Sequence, residues 1–137
     1  MAALKLYVNG RGKPLCRVVD NMIGNNIMTL AIGRDHRDSS ANDVIIEVLE
    51  ARGLEVADLG TYSDASCDYN DFGEAVASGV ETGKYKLGIV ICGSGIGMGI
   101  SANRFPHVRA AQCNNAELVR TSRIHNNSNV LALVASL

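Results

Sequence analysis

An α/β fold, a three-layer sandwich around a five-stranded parallel sheet, is predicted by three features of this sequence. Short apolar runs alternate with segments of helical period, which implies right-handed crossovers between parallel strands. The central run, Leu87-Gly-Ile-Val-Ile-Cys92, is uninterrupted and rich in β-branched residues, as expected of a strand buried on both faces. Glycines and Asx residues bound the helical segments. At 137 residues the chain is long enough for one domain with a real core.

Taken in order, residues 1–28 carry Asp20 as their single acid and show neither helical nor strand period, so they read as an unassigned amino-terminal extension. The domain is expected over 29–137. Thr29-Leu-Ala-Ile-Gly33 predicts a first strand that runs into Arg34-Asp35-His36. Ser40 with Asp43 resembles a capping box, and Val44, Ile45, Val48 and Leu49 give one apolar face before Gly53 stops the helix. A second strand is predicted at Glu55–Leu59. Asp68 can cap a helix whose apolar residues Phe72, Ala75, Val76 and Val80 run to a stop at Gly83. After the Leu87–Cys92 strand, a helix opens near Met98. Val108–Cys113 reads as a fourth strand, Asn114 with Glu117 as a cap, Glu117–His125 as a helix and Val130–Val134 as a fifth strand.

Composition excludes several classes of function. A net charge of −1 with mixed signs leaves no basic stripe, which argues against nucleic acid as a partner. No run is long enough to span a membrane, and the first residues lack a secretory apolar region. Cys16, Cys67, Cys92 and Cys113 are scattered, form no Cys-x-x-Cys pair and have no histidines at ligand spacing. Free thiols in a reducing, cytoplasmic setting, with no metal, fit that pattern.

The loop Cys92-Gly-Ser-Gly-Ile-Gly97 is the strongest candidate site. Cys92 ends a strand, Gly93, Gly95 and Gly97 let backbone approach a ligand, and the helix start aims unpaired N–H groups at the same place. Dinucleotide binding is disfavoured, because Met98 or Ile100 falls where the third fingerprint glycine belongs. A phosphate-binding P-loop is excluded by the lack of a lysine after Gly97. Inert packing remains the competing reading for Cys92, a turn for Asp35 and His36, and a helix cap for His125 and Asn126.

Taken jointly, Gly33-x-Asp35-His36, the Cys92–Gly97 loop, Ser101-Ala-Asn103, Val108-Arg-Ala-Ala111, Arg123-Ile-His-Asn126 and Asn129-Val-Leu131 stand in the order and spacing of one family. The sequence resembles the ribose-5-phosphate isomerase B family, which includes the galactose-6-phosphate isomerase subunits. The resemblance runs from about Leu30 to Leu133. It implies a Rossmann-like domain that interconverts phosphorylated aldoses and ketoses without cofactor or metal. It also implies a homodimer with active-site groups shared between subunits. Cys92 corresponds to the proton-transfer base working through an enediolate. The amides of Gly93, Gly95, Ile96 and Gly97 would hold the oxyanion, with Ser94 standing where the family usually has threonine. Asp35 and His125 correspond to ring-opening groups, His36 to a phosphate contact and Asn126 to a substrate hydrogen-bond partner. The chemistry is coherent: an α-proton leaves readily only if the enediolate charge is stabilised as it forms, and loop amides and a thiolate at a helix start suit that task.

The departures from the family are specific. Arg34, Arg37 and Asp38 replace small residues and are expected to crowd the entrance with charge. The family's glycine-arginine turn and terminal helix have no counterpart after Val134-Ala-Ser-Leu137. That departure predicts weak phosphate recognition and an uncovered apolar surface near Leu131 and Leu133. A non-catalytic homologue that binds sugar phosphate as a regulatory or partner subunit is the alternative it suggests.

Overall fold

The computed structural model describes residues 29–35, 39–61, 63 and 65–135; residues 1–28 and His36, Arg37 and Asp38 lie outside the described residues. Five strands, β1 (Thr29–Arg34), β2 (Glu55–Asp58), β3 (Leu87–Cys92), β4 (Ala110–Cys113) and β5 (Val130–Val134), alternate with helices α1 (Ser39–Glu50), α2 (Tyr69–Glu81), α3 (Ile96–Ala102) and α4 (Ala116–Asn126). All strand pairs are parallel, in the order β2-β1-β3-β5-β4. The expected α/β class and five-stranded sheet are therefore present.

Strand side chains alternate between two cores. Leu30, Ile32, Ile89, Ile91, Leu131 and Leu133 pack with Ile45 and Leu49 of α1 and Val119 of α4. Ala31, Val90, Cys92 and Ala132 pack on the opposite face with Val76, Ala77 and Val80 of α2 and Met98 and Ala102 of α3. The second face carries smaller strand residues, and α2 comes correspondingly close. A Cβ on Gly33 or Gly88 would lie 2.8 or 2.5 Å from a Val76 methyl, so the Val76 side chain fills the space that these two glycines leave.

Local expectations hold where backbone chemistry decides them. Gly53 and Gly83 end their helices with φ of +77°, and Asp68 caps α2 by accepting from Asn70 N–H at 2.9 Å. Four details differ. Helix α1 already begins at Ser39, which puts Ser40 inside its first turn instead of at a cap. The cap of α4 is Asn115, in extended backbone and accepting from Leu118 N–H at 2.9 Å, and not Asn114. Strand β4 starts at Ala110, because Val108 closes a turn onto Phe105 and the Asn129 side chain takes the Arg109 N–H. Leu131 and Leu133 are themselves buried, packed with Ile45 and Leu49 of α1 and Val119 of α4.

Candidate active site

Strands β1 and β3 are the point at which the chain reverses its direction of growth across the sheet: β2 lies outside β1, and β5 and β4 lie outside β3. Open parallel sheets form ligand crevices at the carboxyl ends of such a pair. Two site residues meet there. Asp35 follows directly on β1, its N–H donating to the Ile91 carbonyl at 3.3 Å, and Cys92 is the last residue of β3. Both are buried, each at 6% exposure, so a substrate reaching them is drawn out of bulk water.

The loop after Cys92 turns back on the sulfur. Gly95 adopts φ of +72°, and a Cβ there would sit 3.0 Å from the Leu133 carbonyl oxygen, so both conformation and space call for glycine. The turn brings the Gly95 N–H to 3.2 Å from Cys92 Sγ. It also brings the Ile96 N–H to 3.2 Å from Ser94 Oγ, so the Ser94 hydroxyl oxygen accepts at the start of α3 and keeps its proton to donate. The amides expected to receive an oxyanion are thus divided. Gly95 N–H serves the sulfur and Ile96 N–H serves Ser94, while Gly97 and Met98 belong to the first turn, whose N–H groups have no carbonyl partner within the helix.

Tyr69 completes the wall, and sequence reasoning missed it. It opens α2 directly after the Asp68 cap, and its ring lies so close to Gly97 that a Cβ there would be 2.7 Å from Cε2. Helix α2 is tied to α3 at this place by the Ser101 hydroxyl bonded to Asn70 Oδ1. The only sequence signal was an aromatic side chain at the first position of a capped helix, which is too common to single out.

Arg34 does not crowd this entrance. It is 2% exposed, alternates to the face of Ile32, opposite to that of Cys92, and packs so closely on the turn after β2 that a Cβ on Gly60 would lie 2.7 Å from its Cγ. His36, Arg37 and Asp38 lie outside the described residues.

His125 and Asn126 stand elsewhere. They form the exposed end of α4, where the Asn126 carbonyl accepts from Arg109 Nε at 2.6 Å beside the amino end of β5. Because Cys92 is paired with Val134 at the far end of β5, the length of that strand, roughly 15 Å, separates the two groups of residues. An open pocket of about 350 Å³ adjoins Asn126, lined by Asn103, Arg109 and Ser128 among others. One copy of the chain therefore brings together Asp35, Cys92, Ser94 and the glycine loop, but not His125 and Asn126. Among the described residues no group of three His, Cys, Asp or Glu side chains is placed to hold a metal ion.

A family model described as Ribose/Galactose Isomerase matches residues 30–137, which takes in both groups of site residues. The chain belongs to the ribose/galactose isomerase family. It is a sugar phosphate isomerase of that family, as its relatives show. Ribose-5-phosphate isomerase B of Escherichia coli is 41% identical over 103 residues, 75% of this chain and 69% of that protein. The solved structure of ribose-5-phosphate isomerase B from Clostridium thermocellum superposes with a TM-score of 0.76 at 46% identity, covering 79% of this chain and 73% of that one. Ribose-5-phosphate isomerase B from Mycoplasma genitalium, solved with bound ribulose 5-phosphate, has a TM-score of 0.74 at 36% identity and covers 77% and 71% of the two chains.

Proposed function

We propose that this isomerase interconverts ribose 5-phosphate and ribulose 5-phosphate, with Cys92 as the base that moves the proton. The observation that carries the reading is the Cys92 sulfur itself: buried at the switch point, beside Asp35, and already receiving an N–H from the glycine loop. Cys92 as thiolate takes the C2 proton of the open aldose, and the electron pair moves into an enediolate. The proton is returned to C1, while the hydroxyl proton passes from O2 to O1, so the ketose has the same atoms as the aldose. Gly97 and Met98 N–H, with the Ser94 hydroxyl, are the donors for the enediolate oxygen, because stabilising charge as it develops is what lowers such a barrier. The named activity of the relatives supports the choice of a pentose phosphate.

Ring opening needs an acid and a base at the anomeric centre, the roles assigned to Asp35 and His125, with Asn126 binding a sugar hydroxyl and His36 the phosphate. Since His125 and Asn126 lie a full strand length from Cys92 within one copy, we assign them to the site of a second copy in a homodimer. The enzyme is assigned to the cytoplasm, where the buried thiols Cys92 and Cys113 stay reduced. No described helix is long and apolar enough to cross a membrane.

The decisive test is Cys92→Ala, assayed with ribose 5-phosphate. General-base catalysis contributes about 10²–10⁴-fold, so kcat should fall by that much with the fold intact. Turnover within a few-fold of the parent enzyme would remove Cys92 from the mechanism.

A further inference from the structure

We propose that Gln112 is a positioning residue for the reaction, acting on Cys92 through the Ser94–Gly95 peptide. The proposal rests on the reading of Cys92 as the base. Gln112 lies on β4, two strands away from β3, with Ala132 of β5 as its register partner. Its side chain nevertheless spans the carboxyl edge of the sheet, and Nε2 donates to the Ser94 carbonyl at 2.8 Å. A carbonyl can only accept, so this contact fixes which end of the Gln112 amide faces the loop.

The Ser94 carbonyl and the Gly95 N–H belong to one peptide group. No cis peptide is present among the described residues, and in a planar trans peptide the C=O and the N–H point in opposite directions. Holding the oxygen on the Gln112 side therefore aims the N–H the other way, where it meets Cys92 Sγ at 3.2 Å. The result is a continuous relay from the Gln112 amide through the Ser94–Gly95 peptide to the sulfur. Hydrogen bonds in series polarise one another, so a donor on the carbonyl also strengthens the N–H as a donor to a thiolate.

This contact is not a requirement of the fold. Gln112 is an exposed residue of an edge strand, and the Leu87–Cys92 strand is held by its own ladders to β1 and β5. Without the Gln112 donor, the Ser94–Gly95 peptide, next to a glycine at φ of +72°, is free to rotate and turn its N–H away from the sulfur.

The test uses the full chain and compares Gln112→Met, of similar shape but with no donor, with Gln112→Lys, which keeps a donor of similar reach. Two quantities are read at one neutral pH: the kinetics on ribose 5-phosphate, and the rate of iodoacetamide alkylation of Cys92 resolved by peptide mass spectrometry. Gln112→Met should lower kcat about five-fold with KM within two-fold, and should slow Cys92 alkylation by a similar factor, as expected for one lost hydrogen bond to a charged centre's support. Gln112→Lys should restore most of both. Alkylation and kcat within two-fold of the parent in Gln112→Met would overturn the proposal, as would an equal loss in the two variants. The alkylation arm keeps the two readings apart. If Cys92→Ala is still active, the base assignment fails, while the rate of Cys92 alkylation in Gln112→Met still reports whether Gln112 governs the sulfur.

Discussion

Cys92 and Cys113 are both buried thiols at the ends of parallel strands, and only their surroundings separate them. Cys113 ends β4 within the apolar cluster of Val119 and Leu133, and burial pushes its thiol up, opposed only in part by a hydrogen bond with Ser122. It should stay protonated and react with iodoacetamide more slowly than Cys92 at neutral pH, which peptide mass spectrometry can measure. The unfolded chain releases this proton first, near the ordinary thiol value of about 8.5, so the folded state binds more protons above that pH. Stability should therefore fall as pH rises through the alkaline range, and Cys113→Ala should flatten that decline in urea titrations at pH 7 and 9.5. Gly95 is the other residue on which the site depends. Gly95→Ala forces a side chain into φ of +72° and against the Leu133 carbonyl, at a cost of about 1–2 kcal/mol of stability. It should also lower kcat by rotating the N–H off Cys92; a variant as stable and as active as the parent would contradict the geometry of this loop.

At the scale of elements, α4 matters because its last turn carries His125. Its amino end is held by Asn115, whose side chain accepts from Leu118 N–H, and its carboxyl end by Asn127 in the left-handed region and by Arg109 on the Asn126 carbonyl. Asn115→Ala should cost about 1 kcal/mol, seen as a lower urea midpoint with unchanged slope. Asn114→Ala should cost much less, because Asn114 only accepts from the Asn115 amide. Equal losses at the two positions would show that the cap has been placed one residue out. Sequence pattern alone favoured Asn114, since Glu117 stands three residues on as in a capping box. The extended backbone at Asn115, which no side-chain pattern records, decided between them.

For the whole molecule, the separation of Cys92 from His125 makes the assembled state the object of the test. If the two groups meet across a homodimer, Cys92→Ala and His125→Asn copies, each inactive by itself, should complement one another. Random reassociation gives half mixed dimers, each with one intact site, so about a quarter of parental activity should return. Mixed dimers verified by native mass spectrometry but still inactive would place His125 outside the site.

The alternation of strands and helices, the stops at Gly53 and Gly83, the cap at Asp68 and the Cys92 loop were all legible in the sequence. Each is written in residues close together along the chain: side-chain period, a dihedral open to glycine, or a short polar side chain able to reach its own backbone. The insertion of β5 between β3 and β4, the burial of Arg34, the Tyr69 ring on Gly97, the reach of Gln112 to Ser94 and the placement of His125 at the opposite edge from Cys92 were not. Those depend on which distant apolar surfaces cover one another. Once β5 lies beside β3, its register fixes which end of the sheet each polar side chain faces, and no local pattern in the chain carries that information.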